Sequence, residues 1–167
     1  MFEVKNFDNW IEDIETGKYG SMSYNILENK YDTFCVTMVH CDYSRNAIEN
    51  IKKNFPEVEK TECFDMSKGL PFGDNLTDTI ISDLSLHYFS EQKTFEILDE
   101  IKRVLKPNGL LFFRVNSVKD VNHGGGEGKE IETYFYETDD GRYKWFFDAE
   151  DIEKFFLGGK NYIYMKK

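Results

Sequence analysis

Three acidic residues, each placed just after a short apolar run, are the feature that most constrains the fold of this chain. They are Asp42, Asp65 and Asp83, and the runs before them have the length and composition of strands buried on both faces of a sheet. Because the carboxyl ends of parallel strands meet at one edge of a sheet, the three carboxylates can share one ligand there. The spacing therefore indicates a nucleotide-type site.

Strand-like and helix-like segments alternate along the same stretch. Residues 34–41 predict a first strand, and Ser44 can cap a helix that ends at 54–56. The segments that follow are a strand at 58–64, a turn-rich loop at 67–75, a strand at 78–84, a helix at 91–105, a closing turn at 106–109 and a strand at 110–115. The alternation predicts an α/β fold that is Rossmann-like and doubly wound, with a mostly parallel sheet and helices on both faces.

The pattern is less regular after residue 117. We expect a flexible glycine loop at 123–128, an aromatic segment at 134–147, a short helix at 148–156 and one last strand at 160–165. A length of 167 residues fits one domain, so residues 1–167 are predicted to fold as a single unit.

The charge balance limits the partners that we expect. The formal net charge of −10 predicts a field that repels phosphate backbones and anionic lipid, and no basic patch is visible to offset it. We therefore expect no nucleic acid and no membrane among the partners. The first residues lack the pattern of a signal peptide, and no apolar run reaches membrane-spanning length, which predicts a cytoplasmic protein.

The three cysteines, Cys35, Cys41 and Cys63, lie inside or beside apolar strand-like runs. They form no Cys-x-x-Cys pair of the kind that binds zinc. Because free cysteine behaves as a small hydrophobic residue, we expect buried structural thiols and no metal site.

Several short motifs occur in an order that matches a known family. They are Asp42-Tyr43-Ser44, Phe64-Asp65-Met66, Leu70-Pro71-Phe72, Asp83-Leu84-Ser85-Leu86-His87-Tyr88 and Arg103-Val104-Leu105-Lys106-Pro107-Asn108-Gly109. In this order they resemble the class I S-adenosylmethionine-dependent methyltransferases, most of all the small bacterial members. The resemblance implies S-adenosylmethionine as the cofactor and a small-molecule acceptor, with in-line methyl transfer from the sulfonium and no metal.

The resemblance assigns cofactor contacts to all three acids, and two of them would hold the nucleoside. Asp42, with Tyr43 beside it, would accept hydrogen bonds from the ribose hydroxyls, each worth about 1.5–3 kcal/mol. Asp65, with Met66 covering the ring, would hold the exocyclic amine of adenine. An Asp after a strand is also a common turn residue, and Asp65 can equally cap the turn that begins at Ser67.

The third acid matches the substrate end of the family's site. Asp83 and Leu84 would contact the cofactor near the transferred methyl group and the substrate, although Asp83 can also be a plain strand-ending residue. His87 and Tyr88 could line the substrate pocket, and His87 could act as a base if the acceptor needs deprotonation. A histidine at the start of a helix is more often structural.

Both ends of the chain depart from the family pattern. The glycine-rich first loop has only residues 12–20 as a candidate, with Gly17 and Gly20 as its cofactor contacts. The segment can equally be a surface helix, although the 42 − 20 = 22 residues from Gly20 to Asp42 are close to the usual spacing of about 20. After residue 156 there is room for one of the two expected antiparallel strands, and an incomplete edge can pair with a second copy, which allows a homodimer.

Three functions stay open on these grounds. The first is an active methyltransferase. The alternative is a catalytically impaired methyltransferase-like module that acts by binding a protein or ligand, which the degenerate first loop favours. A nicotinamide-dependent oxidoreductase has the same architecture, but the chain lacks the Gly-x-Gly-x-x-Gly turn that a pyrophosphate requires at a helix start.

Overall fold

The computed structural model describes residues 38–157, which fall into two compact units divided after Asp65. The first unit is described from residue 38 and the second as far as residue 157. The sequence predictions for Gly17, Gly20, Cys35 and the last strand lie outside the described residues. Nothing tests whether residues 1–167 form one domain, and this stays a prediction.

The first unit contains a β-α-β arrangement, as the sequence predicts. Strand β1 (His40–Asp42) pairs in parallel with β2 (Thr61–Cys63), and helix α1 (Arg45–Asn54) connects them. The Ser44 hydroxyl accepts a hydrogen bond from the Ala47 N–H at 3.4 Å, which satisfies one of the free donors of the first helical turn. The cap is therefore where the sequence places it.

The apolar face of α1 forms the small core of this unit. Ile48 and Ile51 are buried, as their spacing of three residues on one helical face predicts. Ile51 packs with Phe55 and the partly buried Val58, so the segment after the helix folds back against it.

The prediction of buried thiols is wrong for the two cysteines in the described part of the chain. Cys41 and Cys63 are exposed and free. Successive side chains of a strand point to opposite faces, and in β1 the buried face is taken by His40, which leaves Cys41 on the other face. The Cys63 thiol donates to the Tyr43 carbonyl at 3.6 Å.

The second unit is built on a longer parallel pair. Strand β3 (Thr77–Asp83) pairs with β4 (Leu105–Arg114), and helix α2 (Glu91–Val104) joins them. The register places Asp83 opposite Arg114 at the carboxyl ends of the two strands. This pairing brings the last residues of both strands to one edge, where the sequence predicts the site.

The predicted turn at 106–109 is present inside the residues assigned to β4. The register passes from Thr77–Leu105 to Thr79–Leu110, so these four residues bulge out opposite Asp78. A Cβ on Gly109 would lie 2.9 Å from the Lys106 carbonyl oxygen, which leaves room only for glycine.

The turn-rich loop before β3 is fastened to α2 by one arginine. Arg103 donates to the carbonyls of Leu70 and Phe72, at 3.1 and 2.7 Å, and forms an ion pair with Asp74 at 2.7 Å. A guanidinium can make several such bonds at once because its donors form a rigid planar fork. The loop is therefore held in one conformation by side-chain contacts.

The aromatic segment and the residues just before it form a three-stranded antiparallel sheet that the sequence analysis did not predict. Its strands are β5 (Lys129–Glu132), β6 (Phe135–Glu137) and β7 (Tyr143–Trp145), in the order β5-β6-β7. An Asp-Gly pair at 140–141 lies between β6 and β7, with Gly141 at φ 75°. This pair is a strong hairpin signal and could have revealed the sheet.

A short helix follows the sheet, as predicted. Helix α3 (Ala149–Ile152) continues into a π-helical turn (Glu153–Leu157). Asp148 and Asp151 form a capping box, in which each side chain accepts a hydrogen bond from the backbone N–H of the other residue.

One hydrophobic core joins these elements of the second unit. Its buried members come from the turn after β3, from α2 and β4, and from the antiparallel sheet and α3; they include Leu86, Ile97, Leu98, Ile101, Leu111, Phe113, Phe135, Trp145, Phe147 and Ile152. Within residues 38–157, no helix has the length and apolar character needed to cross a membrane.

Candidate functional site

The predicted ribose acid lies at the end of β1 with one carboxylate oxygen available. Asp42 Oδ1 accepts the Ser44 N–H at 2.7 Å, which fixes the side chain in a tight turn. Its Oδ2 makes no hydrogen bond within the part of the chain that the structure describes, so it can accept a ligand hydroxyl. Tyr43 beside it is 79% exposed. This arrangement fits a ribose, although the contact itself stays a prediction.

Asp65 and Met66 fall on either side of the division between the two units. Asp65 follows β2 and is half-buried. Met66 opens a 3₁₀ turn (Met66–Lys68) and packs against the core of the second unit. Their joint contact with adenine, and a crevice shared by Asp42, Asp65 and Asp83, stay predictions.

Asp83 is held in a two-pronged ion pair. Arg114 Nε donates to Asp83 Oδ1 at 2.6 Å and its Nη2 donates to Oδ2 at 3.0 Å. The Asp83 side chain is 7% exposed, so the guanidinium satisfies a carboxylate that is almost out of solvent. The charge of Asp83 at this edge of the sheet is therefore balanced by Arg114, whereas the sequence suggested an acid without a partner.

The backbone turns sharply immediately after Asp83. Leu84 has φ 47°, in the left-handed region, and its N–H donates to the Arg114 carbonyl at 2.9 Å. This conformation costs a residue with a side chain about 1–2 kcal/mol. A strained backbone conformation persists only where the surrounding structure holds it in place, and such residues cluster at functional sites. Leu84 redirects the chain from β3 into the turn that carries His87.

His87 is a buried and neutral imidazole. It lies in the 3₁₀ turn Leu86–Tyr88, is 2% exposed, and its Nδ1 has no hydrogen-bond partner within residues 38–157. Burial, with smaller contributions from Lys144 and Arg114, lowers the pKa of His87 to about 4. At neutral pH such a group is a weak proton acceptor, so it suits hydrogen bonding better than general-base catalysis.

Tyr88 covers the imidazole. The two ring centroids are 4.1 Å apart with a tilt of 41°, and Tyr88 is 42% exposed. A partly exposed aromatic ring thus packs directly against the buried histidine.

Cations from the antiparallel sheet gather around this turn, and the sequence analysis missed them. Strand β7 lies against the turn that holds His87, and its Lys144 donates to the His123 carbonyl at 3.0 Å. Arg142, at the start of β7, donates to Asp140 Oδ2 at 2.7 Å. That bond raises the pKa of Arg142, and the Tyr88 phenol contributes in smaller part. The signal was the basic alternation Arg142-Tyr143-Lys144 after an Asp-Gly turn.

A separate groove of about 890 Å³ is lined by α2, the antiparallel sheet and α3. Its walls are mainly acidic and aromatic, with Glu91, Glu132, Asp148, Trp145 and Tyr134 among them. None of the predicted site residues lines this groove. Within the described part of the chain, no group of three or more His, Cys, Asp or Glu residues could hold a metal ion.

Comparisons with known proteins give the chain a family. Residues 19–113 match the model of a family described as a methyltransferase domain. The chain is 33% identical over 120 residues to the tRNA N(3)-methylcytidine methyltransferase Mettl2 of Drosophila melanogaster, a match that covers 67% of this chain and 37% of that protein. It is 27% identical over 149 residues to the human tRNA N(3)-cytidine methyltransferase METTL2B, which covers 82% and 38%.

Solved structures share the fold. An S-adenosylmethionine-dependent methyltransferase from Clostridium acetobutylicum superposes with a TM-score of 0.61 at 16% identity, covering 93% of this chain and 80% of that chain. The curated relatives are longer, and the chain spans about two fifths of their length.

The expectation that nucleic acid is excluded is wrong, because relatives named as tRNA methyltransferases align with two thirds of the chain or more. Net charge is a sum over the whole molecule, whereas a phosphate responds to charges within about 8 Å at physiological salt. Arg114, Arg142 and Lys144 lie close to His87 and Tyr88, within an acidic chain. The small-molecule acceptor predicted from the resemblance finds no support in these relatives.

Proposed function

We propose, since the chain belongs to the methyltransferase-domain family, that it transfers a methyl group from S-adenosylmethionine to N3 of a cytidine in tRNA. The predicted class of enzyme, its cofactor and its Rossmann-like fold are confirmed. The acceptor and the activity of the whole protein are the proposal, as is its cytoplasmic location.

One observation carries the choice of acceptor. The relatives that align with 67% and 82% of the chain are named for methylation of tRNA cytidine at N3. The alignment lengths of 120 and 149 residues exceed the 95 residues from 19 to 113 that match the family model. The similarity to these relatives therefore extends beyond the segment that matches the family model.

The chemistry of the described site suits a neutral nitrogen nucleophile. N3 of cytosine carries a lone pair that can attack a methyl sulfonium directly, so the protein has no proton to remove before transfer. Although a pKa near 4 makes His87 a weak general base, this reaction does not need one. Catalysis would come from positioning and water exclusion, to which the fixed Asp83–Arg114 pair and the rigid turn after it contribute.

The test is direct detection of the product. The chain is incubated with S-adenosylmethionine and unmodified tRNA transcripts, and the digested nucleosides are separated by mass spectrometry. We expect 3-methylcytidine to accumulate and no other methylated nucleoside. A chain that binds the cofactor but leaves every transcript unmodified would rule out this acceptor.

The cofactor contact of Asp42 has its own test. Asp42→Ala removes the carboxylate that would hold the ribose, and we expect the affinity for S-adenosylmethionine, measured by calorimetry, to fall by tenfold or more, about 1.4 kcal/mol. Glu49→Ala, an exposed acid on α1, is the matched control and should leave the affinity unchanged. Equal affinity of both variants would mean that Asp42 does not contact the cofactor and would revive the binding-module alternative.

A further inference from the structure

The nitrogen Nδ1 of His87 is a buried polar atom without a partner in the described part of the chain. Burying such a group unpaired is unfavourable, so native structures rarely keep one without a reason. The imidazole belongs to the turn that follows the strained Leu84 at the carboxyl end of β3. Its position and its unmet hydrogen bond both point to a ligand.

The ring of Tyr88 is a partly exposed aromatic neighbour of this imidazole. Its centroid lies 4.1 Å from that of His87, and 42% of the residue is exposed. Exposed side chains change rotamer within nanoseconds, so a ligand can displace Tyr88 from the imidazole and then stack on its ring. A planar aromatic ligand with a hydrogen-bonding edge fits this combination.

We infer that Tyr88 and His87 together form the pocket that reads the target base, with Tyr88 stacked on the cytosine and His87 Nδ1 accepting a hydrogen bond from its exocyclic amine. The inference rests on the proposed function and adds to it the residues that recognise the acceptor. Enzymes that modify a base in nucleic acid take it out of its stack, and they hold it by aromatic stacking and by contacts to its hydrogen-bonding edge.

The exocyclic amine is the part of the base from which His87 can accept a hydrogen bond without blocking the reaction. N3 must stay free, because its lone pair forms the new N–CH₃ bond while the S–CH₃ bond breaks and sulfur keeps that electron pair. The positive charge passes from sulfur to the cytosine ring and spreads onto the amine. A hydrogen-bond acceptor placed at the amine therefore binds the transition state more tightly than it binds the neutral base. This difference raises the rate of methyl transfer.

Burial, with smaller contributions from two nearby cations, lowers the pKa of His87 and so keeps it in the neutral form that this role needs. Lys144 and Arg114 both disfavour a proton on the imidazole, and the ion pair of Arg114 with Asp83 keeps that guanidinium in place. A neutral imidazole can accept the hydrogen bond, whereas an imidazolium would repel a base that is becoming cationic.

A cycle that pairs protein variants with an altered base tests the contact. The probe is an RNA stem-loop with a single cytidine in its loop. A matched control RNA carries pyrimidin-2-one in place of that cytosine, and this base lacks only the exocyclic amine. Binding to the full 167-residue chain is measured by fluorescence anisotropy with S-adenosylhomocysteine present. We expect removal of the amine to weaken binding to the wild type by about tenfold, and to leave binding to His87→Phe unchanged.

Two further variants separate recognition from folding. His87→Asn places an amide oxygen near the position of Nδ1, so it should keep most of the discrimination between the two RNAs, whereas His87→Phe should lose it. Tyr88→Ala should weaken both RNAs by about ten- to hundredfold, and Tyr88→Phe should bind both as the wild type does.

The outcomes are distinct. An equal loss of affinity in the wild type and His87→Phe on removal of the amine would overturn the contact, even if the wild type methylates cytidine. Failure of the wild type to bind or methylate any RNA, with S-adenosylmethionine binding intact, would refute the proposed function and this inference with it.

Discussion

At the scale of single residues, the buried His87 makes the stability of the protein depend on pH. Its pKa is lowered from 6.5 to about 4 in the folded state, so between these values the unfolded chain binds more protons than the folded one. The stabilisation is complete above pH 6.5 and is lost as the pH falls towards 4. It amounts to something on the order of 3 kcal/mol.

We therefore expect His87→Phe to flatten the decline of unfolding free energy between pH 6.5 and 4, as measured by urea titration at several pH values. Tyr88→Phe, a change in the neighbouring ring that leaves the imidazole in place, should keep the slope of the wild type. Identical slopes for wild type and His87→Phe would show that His87 is not a buried neutral group.

The Asp83–Arg114 pair leads to a second prediction at this scale. Arg114→Met removes both donors and leaves an almost buried carboxylate uncompensated, which should lower the free energy of unfolding by about 3 kcal/mol. Asp83→Asn combined with Arg114→Met leaves no uncompensated charge and should recover part of the loss. Urea unfolding of the two variants gives the comparison, and a double variant no more stable than Arg114→Met would contradict this reason for the loss.

Sequence alone could place Asp83 at the end of a strand but could not find its partner. The apolar run before it and the turn residues after it are local signals, and both are visible in the chain. Arg114 lies 31 residues further on, and the two meet only because the register of β3 and β4 sets them opposite each other. A register between parallel strands depends on packing across the whole unit, which no local pattern records.

At the scale of elements, the return of the chain into the antiparallel sheet depends on one glycine. Gly128 has φ 99°, and a Cβ there would lie 2.5 Å from the Glu137 carbonyl oxygen, at the start of the pairing between β5 and β6. Gly128→Ala adds a disfavoured backbone conformation and a clash with rigid backbone. It should therefore cost about 1–3 kcal/mol of stability.

The control is Gly126→Ala, which also has a positive φ but meets nothing within 4 Å. Gly126→Ala adds only the cost of the disfavoured backbone conformation, whereas Gly128→Ala adds the clash as well. Gly128→Ala should therefore melt at a lower temperature than Gly126→Ala in a thermal unfolding scan. Equal melting temperatures would show that the close approach to Glu137 does not restrict this position.

The elements differ in how far sequence could predict them. Helix α2 (Glu91–Val104) agrees with the predicted helix to within one residue. The prediction succeeds because the apolar residues repeat with the helical period over 14 residues. Strands β6 and β7 have three residues each, too few to show an alternation, and their aromatic residues fit a core helix or a strand equally well. Only the Asp-Gly turn between them was distinctive.

At the scale of the whole molecule, the salt dependence of the proposed RNA binding should follow the few cations near the site and not the net charge of −10. The cations described near the His87 turn are Arg114, Arg142 and Lys144, so few phosphates can be neutralised there. We expect log affinity to fall against log salt with a slope between about −1 and −3, measured by anisotropy with a tRNA transcript.

Lys144→Gln should reduce the magnitude of that slope by about one, while Lys102→Gln, an exposed lysine on α2, should leave it unchanged. A slope steeper than about −5 would mean that most of the phosphate contacts lie on other surfaces.

The contact of β7 with the Leu86–Tyr88 turn has a mechanical consequence. The hairpin that carries Lys144 and the turn that carries His87 are in direct contact, so under the proposed function a displacement of Lys144 by bound RNA would be passed on to His87. On that proposal, contact with the RNA backbone and recognition of the target base would be coupled to each other.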